Sequence, residues 1–390
     1  MKLFYIYTAL VTKGGADRVL TEKANWLAEH GYDVTIVTDT QMGRPPIFSL
    51  SEKVRLIDLA IDFSKEYGHN FFVRTILYFK LMRAYRGKLT ALLMKERPDI
   101  VITTLGRDIS FITKVKDGSK KIGEAHTTKH FIRNFHQLES RNVIFKYMTK
   151  YFRWSMDRQV SRLDALVVLT PQHADDWKGL TTIRVIPNAV SFCPEHPSTC
   201  DNKQVIAVGR YNDAKGYDYL IPAWEKVHQL HPDWLLHVYG SGELHDHVIR
   251  WIKERKLEQT IILHEPTDEI MEKYLESSIC VLSSRYEGFP MVMLEAMSCG
   301  VPVVSFDCPH GPRNIIKNGE DGILVEYLNS QALADNICHL IDNPEIREKM
   351  GEKAKRNIKR YSRENVMKQW TELFNHLLHA GQPAASESSK

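Results

Sequence analysis

The chain of 390 residues is 43% hydrophobic and 26% charged, long enough for two domains of ordinary size, and it holds no run of 18 apolar residues. That make-up is globular and excludes a helical membrane span. The net charge of +4 is uneven: residues 1–190 carry 30 Lys and Arg against 19 Asp and Glu, while residues 191–390 carry 22 against 29. One half is therefore expected to face an anionic surface or substrate. Nucleic acid finds no support as that anion, because zinc-finger spacing, a helix-turn-helix signature and RNP-like aromatics are all missing.

In chain order, the first half alternates short apolar runs with helical spacing. Leu3–Thr8 reads as a strand, Ala16–His30 as an amphipathic helix with Val19, Leu20, Ala24 and Leu27 on one side, and Asp33–Thr38 as a second strand. Further strands are expected at Val54–Asp58, Asp99–Thr103, Lys121–Gly123, Ala165–Leu169 and Arg184–Ile186. A βαβα order implies a mostly parallel sheet covered by helices. Around Ile186-Pro187-Asn188-Ala189-Val190 the chain leaves that sheet, and a Pro/Ser/Cys stretch to Asp201 reads as an interdomain connection. The second half repeats the pattern with strands at Gln204–Val208, Leu235–Tyr239, Ile261–Leu263, Ile279–Ser283, Val301–Ser305 and Gly322–Val325. A last helix is expected over Ser362–His379, followed by a small polar tail, 381–390, expected to be disordered. Two such halves facing each other would leave a cleft between their strand ends, the natural place for a site.

All six cysteines lie in the second half and none forms a Cys-x-x-Cys pair, which suits a reduced, intracellular protein. The apolar segment after Met1-Lys2 runs into Gly14-Gly15 without a signal-peptide cleavage pattern, so a cytoplasmic protein is expected.

The chemistry concentrates in a few runs. Glu287-Gly288-Phe289-Pro290-Met291-Val292-Met293-Leu294-Glu295 sets two carboxylates eight positions apart. The apolar strand before it puts Glu287 in the loop at a strand's carboxyl end, and the helical spacing from Met291 puts Glu295 about two turns into a helix. Ligands of open α/β sheets bind at such strand ends. Backbone N–H groups at a helix start suit phosphate or sugar oxygens, and a carboxylate accepts from vicinal hydroxyls. The run therefore points to a sugar-nucleotide site; a capped loop followed by a helix-surface Glu is the plain alternative. Arg210 and Lys215, in Val-Gly-Arg-Tyr-Asn-Asp-Ala-Lys-Gly, form a cation pair fit for a diphosphate, Arg as a rigid fork and Lys as a point charge. Gly14 and Gly15 lie between the first strand and first helix, where glycines let backbone N–H groups approach a phosphate. No Asp-x-Asp motif is present to hold a metal.

These runs, with Pro187-Asn188-Ala189 and Gly14-Gly15-Ala16-Asp17-Arg18, resemble the retaining glycosyltransferases of family 4, whose two Rossmann-like domains face each other across a cleft (the GT-B fold). The resemblance spans nearly the whole chain. It implies an acceptor-side domain over 1–188, a nucleotide-sugar domain over 189–361, and a crossover helix over 362–380 packing back toward the first domain. It implies catalytic roles for His126, Arg210, Lys215 and Glu287. Donor contacts would come from Gly14, Gly15, Gly288, Phe289, Pro290, Met291 and Glu295, with Glu295 on the ribose hydroxyls. The nucleobase would sit near Glu265-Pro266-Thr267, with Pro266 as a contact. Asp17 stands where many relatives carry Glu, and Asn314, in His310-Gly311-Pro312-Arg313-Asn314, where they commonly carry Glu. The implied reaction moves a hexose or N-acetylhexosamine from a UDP-linked donor to a growing surface glycan or lipid-linked acceptor, without a metal or other cofactor. A sugar-nucleotide epimerase or a non-catalytic nucleotide-sugar-binding scaffold is the alternative on this fold.

Residues 129–162 carry eight Lys and Arg against two acidic residues, interleaved with Phe131, Phe135, Phe145, Tyr147, Tyr151, Phe152 and Trp154. This stretch and Phe71–Lys80 read either as faces meeting anionic lipid at the inner side of the plasma membrane or as helices with aromatics in the core and cations in water.

Overall fold

The computed structural model describes residues 1–66, 68–127, 129 and 143–379; the expected tail at 381–390 lies outside them, as do Phe131, Arg133, Phe135, Glu139 and Arg141 of the basic stretch. Two compact units are formed, Met1–Ile186 with Met367–Lys390, and Pro187–Val366.

The first unit is built on a seven-stranded sheet: β1 (Lys2–Tyr7), β2 (Asp33–Thr38), β3 (Arg55–Asp58), β4 (Ile100–Thr103), β5 (Lys120–Ala125), β6 (Ala165–Val168) and β7 (Ile183–Val185), in the order β3-β2-β1-β4-β5-β6-β7. Every pairing is parallel. Central strands covered on both faces must be apolar throughout, and Phe4, Ile36, Val101, Ile122 and Leu166 are all buried. Helices α1 (Gly15–Glu29), α2 (Phe71–Glu96), α3 (Val143–Val160) and α4 (Pro171–Asp175) complete the unit with the far end of the last helix. The strands fall where the apolar runs place them, within one or two residues. Helix α2 runs well beyond Phe71–Lys80, the only part of it that the sequence singles out, because apolar residues are spread around its whole circumference and give no one-sided stripe.

The second unit has a six-stranded sheet of β8 (Gln204–Val208), β9 (Leu235–Tyr239), β10 (Ile261–His264), β11 (Ile279–Leu282), β12 (Val303–Phe306) and β13 (Gly322–Val325), ordered β10-β9-β8-β11-β12-β13 and again parallel. Its helices are α5 (Tyr217–Leu230), α6 (His245–Glu254), α7 (Ile270–Leu275), α8 (Met291–Ser298), α9 (Pro312–Ile315), α10 (Ser330–Asp342) and α11 (Pro344–Asn357). Trp224 of α5 and Ile337 of α10 are buried with Val205, Leu236 and Val281 of the sheet in one core.

Helix α12 (Arg363–His379) is continuous, yet its first turn belongs to the second unit and the rest, from Met367, to the first. Arg363 donates to the Ser191 carbonyl, whereas Trp370 lies 4.2 Å beneath the Lys23 ammonium and Phe374 sits edge-on to Tyr32.

Candidate functional site

In an open parallel sheet the loops that leave two neighbouring strands in opposite directions open a crevice at the strands' carboxyl ends. In the second unit that point lies between β8 and β11. The loop after β8 runs Gly209-Arg210-Tyr211-Asn212 into a tight turn, Asp213–Lys215, and then Gly216. Gly216 has φ of +63°, and a Cβ there would stand 2.2 Å from the Ser283 carbonyl oxygen, so only glycine fits. This close approach brings the end of β11 against the turn: Ser283 Oγ donates to the Lys215 carbonyl at 2.8 Å. Arg285 donates to both Asp218 oxygens at 2.9 and 2.6 Å.

The result is a contact between residues 72 apart in sequence, Lys215 Nζ to Glu287 Oε1 at 2.6 Å. Ser284 Oγ donates to the same oxygen at 2.7 Å. The Lys215 stem lies across Gly209, where a Cβ would come within 3.2 Å of it. Both charged side chains keep some exposure, 20% and 12%. Arg210 is exposed, and its guanidinium has no carboxylate partner among the described residues.

Beyond Glu287, Gly288–Pro290 lead into α8. Phe289 is buried edge-on against Tyr361, 5.4 Å between centroids, and the Tyr361 hydroxyl donates to the Asn314 carbonyl at 2.7 Å. The loop before α9 packs tightly here, since a Cβ on Gly311 would come within 2.7 Å of Pro290 and 2.9 Å of Glu287. Asn314 donates to the His310 carbonyl and thereby holds that loop. Helix α8 starts at Met291, so Glu295 is its fifth residue, just past the first turn and not two turns in. The residue is 7% exposed, and its carboxylate accepts from the Tyr274 hydroxyl at 3.3 Å. Pro266 follows β10, two strands from β8, beside Glu265; burial and that carboxylate push the Tyr211 hydroxyl up to about 12.

In the first unit the corresponding point lies between β1 and β4. Gly14 caps α1 in extended backbone and Gly15 is the first helical residue. The loop is fixed by buried Asp17, which accepts from the Tyr7 hydroxyl at 2.7 Å and from the Thr12 backbone N–H at 2.8 Å. His126 follows β5 and lies 3.4 Å from Glu124, and burial holds its imidazole below the usual histidine range. A cavity of about 490 Å³ opens beside this point, lined by Thr8, Thr40, Met42, Arg44, Asp62, Phe63, Ser64 and Arg107. Arg107 stacks 4.1 Å over Phe63 and stands 3.8 Å from Asp39, whose carboxyl burial raises to about 6.

Within the second unit the structure thus joins Lys215, Glu287, Gly288, Phe289 and Pro290 directly and sets Met291 and Glu295 on the adjoining helix. Ser284, Tyr274 and the Arg285–Asp218 fork also make contacts at this crevice, and none of them is among the expected site residues. The polar Ser283-Ser284 at the end of an apolar strand was the available signal. Asp17 was noted in the sequence only as a departure from its relatives.

Each half of the chain matches a family model. Residues 13–192 match the model described as Glycosyltransferase Family 4, and residues 194–357 match that of Glycosyl transferases group 1. An uncharacterized glycosyltransferase of Haemophilus influenzae is 27% identical over 378 residues, 95% of this chain and 98% of its own. The amylovoran biosynthesis glycosyltransferase AmsD of Erwinia amylovora is 28% identical over 392 residues, 96% of this chain and 99% of its own. In fold, the chain is similar to S. aureus TarM, a point mutant crystallised with fondaparinux, alpha-GlcNAc-glycerol and UDP, with a TM-score of 0.76 at 20% identity over 96% of this chain and 99% of that one.

Proposed function

We propose that this chain, which matches a glycosyltransferase family model in each half, is a retaining, metal-independent glycosyltransferase that moves a hexose or N-acetylhexosamine from a UDP-linked donor to a growing surface glycan or a lipid-linked acceptor. The observation that carries this reading is the Lys215–Glu287 pair at the β8–β11 crevice. A lysine held by a carboxylate in the free protein is a cation already placed for an anion. When the diphosphate arrives, Lys215 transfers its hydrogen bond to a phosphate oxygen and Glu287 becomes available to the hydroxyls of the sugar. Arg210 supplies a second cation from the same loop. Negative charge grows on the departing diphosphate as the glycosidic bond breaks, and positive charge already in place there is worth more than charge that must be recruited. With two cations for that task and no Asp-x-Asp motif in the sequence, the reading requires no metal. Glu295 then binds the ribose hydroxyls, Pro266 borders the base, and Gly14 and Gly15 offer backbone N–H groups to a donor or acceptor oxygen.

Retention follows a same-face route in which the departing phosphate oxygen accepts the acceptor's proton. Glu287 holds sugar hydroxyls and forms no bond to the anomeric carbon. The cavity beside β1 and β4 suits the acceptor, offering hydroxyls, guanidinium donors, a carboxylate and the face of Phe63. Supply of a lipid-linked acceptor is served by membrane contact. Phe72, Ile76 and Phe79 on α2 and Tyr147, Tyr151 and Trp154 on α3 are 55–77% exposed, and Glu96 and Asp157 are the helices' only acidic residues.

The test is release of UDP or GDP from a panel of nucleotide sugars with EDTA present. One donor should be turned over by the wild type and by neither Lys215→Ala nor Glu287→Ala. A donor consumed equally by all three proteins, or only after a divalent cation is restored, contradicts the proposal.

A further inference from the structure

The cavity of about 490 Å³ in the first unit has a charge pattern that binding a neutral glycan does not call for. Four neighbouring strands, β3, β2, β1 and β4, end beside it, and the loops that follow them form its walls. Asp62, Phe63 and Ser64 come after β3, Thr40, Met42 and Arg44 after β2, Thr8 after β1 and Arg107 after β4, so every lining residue belongs to one unit.

Two guanidiniums are fixed there with donors to spare. Arg44 donates through Nε to the Gln41 carbonyl at 2.9 Å and through one terminal nitrogen to the Thr40 carbonyl at 2.6 Å. Those bonds orient the fork and leave its other terminal nitrogen unspent among the described residues. Arg107 is oriented by stacking 4.1 Å over Phe63, and its distance of 3.8 Å from Asp39 is longer than a hydrogen bond. Its side chain hydrogen-bonds to none of the described residues. The carboxylates nearby are engaged. Thr40 Oγ1 donates to Asp39 at 2.8 Å, and burial disfavours the charge of that carboxyl. Asp58 accepts from the backbone N–H groups of Gln41, Met42 and Ala60 at 3.2, 2.7 and 3.0 Å. Asp62 accepts from the Ser64 backbone N–H at 3.1 Å and from the Ser64 hydroxyl.

The backbone around these side chains is strained. Four described non-glycine residues of the first unit, Met42, Ala60, Arg97 and Leu105, have left-handed φ. Three of them stand within two residues of a charged wall: Met42 (φ 55°) before Arg44, Ala60 (φ 50°) before Asp62 and Leu105 (φ 56°) before Arg107. Strain of this kind costs stability and clusters where the backbone must hold a site in shape. Gln41 ties one of these loops further, accepting from the Leu10 backbone N–H at 2.9 Å and donating to the Arg44 carbonyl at 2.7 Å.

We propose that this cavity is a phosphate subsite, in which Arg44 and Arg107 grip the phosphate ester of a phosphate-bearing acceptor and the remaining space holds the polyol or sugar that carries it. A planar guanidinium matches two phosphate oxygens at once, which suits an anion that arrives in a set orientation. The inference rests on the reading of the cavity as the acceptor's place, and it narrows that acceptor from glycans in general to phosphate esters.

Calorimetry on the full chain with glycerol 3-phosphate as the probe is the test, with thermal melting to establish that each variant folds. The wild type and Lys215→Ala, which alters the donor crevice, should bind the probe alike, and free glycerol should not bind. Arg44→Gln and Arg107→Gln should each weaken binding about tenfold or more, the loss expected when a charged hydrogen-bond donor is removed. Arg107→Gln takes the cation from beside Asp39, and Arg44, exposed at the rim, carries the test alone if that variant does not fold. No binding by the wild type, binding that survives the arginine changes, or binding that disappears in Lys215→Ala overturns the proposal. Glucuronate bound as tightly as glycerol 3-phosphate also overturns it, since a carboxylate would then serve as well. These measurements need no turnover, so they succeed or fail apart from the transfer reaction. Saturating glycerol 3-phosphate should in addition change the rate of UDP release from the donor found in the screen. A rate unmoved while arginine-dependent binding persists overturns the reading of the cavity as the acceptor's place and leaves the phosphate subsite standing.

Discussion

Single residues decide whether the two halves of the β8–β11 crevice meet. Gly216 permits an approach that no side chain allows, and Gly216→Ala should destabilise the second unit by about 1–3 kcal/mol through strain at a positive φ, read as a lowered Tm. Asp39 offers a pH test. Its folded value of about 6 stands above the ordinary 3.8, so its contribution to stability is complete below about pH 4 and is lost as pH rises through 6. A shift of about two units corresponds to roughly 3 kcal/mol. Asp39→Asn should therefore gain on the wild type in denaturant stability between pH 4 and pH 7, and parallel curves over that range would contradict the burial argument. The places of Lys215 and Glu287 at neighbouring strand ends were legible because each stands at a fixed offset from an apolar run, whereas Glu295 lies nearer the helix start than its spacing implied. Ser284 and Tyr274 were not legible, because their partners come from loops and strands that only the folded sheet brings together.

At the scale of elements, parallel strands announced themselves as short apolar runs, and a glycine or proline close behind some of them, as at Gly209, Gly240 and Pro266, marked the end. Helices were less readable where burial is not one-sided, and α2 is the instructive case. Its C-terminal half buries Tyr85, Leu89 and Leu93, while its first turns expose Phe72, Ile76 and Phe79. Averaged over the helix, the two faces cancel any periodic signal. That exposed face, with the aromatic stripe on α3, carries a prediction about membranes. The protein should float with anionic liposomes at low salt, and a Phe72→Ser/Ile76→Ser/Phe79→Ser variant should lose co-migration while keeping UDP binding. Absence of the wild type from the lipid fraction at low salt would remove the membrane from the account. None of the described helices is long and apolar enough to cross a bilayer.

Across the whole molecule, the repeat of one sheet design in two units could be read from the alternation of runs, and the boundary falls at Ile186–Pro187, within two residues of the expected 188–189 junction. The division of α12 between the units could not, since one unbroken helical pattern gives no sign of where its packing partners change. Trp370 and Phe374 belong to the core of the first unit. Replacing such a buried aromatic with alanine costs about 3–5 kcal/mol, a large share of a domain's roughly 5–15 kcal/mol. Trp370→Ala should accordingly lower the Tm of the first unit and leave the second unit's transition in place. The central claim concerns Lys215 and Glu287, and UDP, which lacks the sugar, separates their roles. Calorimetry with EDTA present should find that Lys215→Ala weakens UDP binding by about 10- to 100-fold, the worth of a charged hydrogen bond. Glu287→Gln should bind UDP as well as the wild type or better, because the lysine is freed from its partner. Equal affinity in wild type and Lys215→Ala, or a loss in Glu287→Gln as large as that in Lys215→Ala, would contradict the exchange of partners on which the proposed transfer depends.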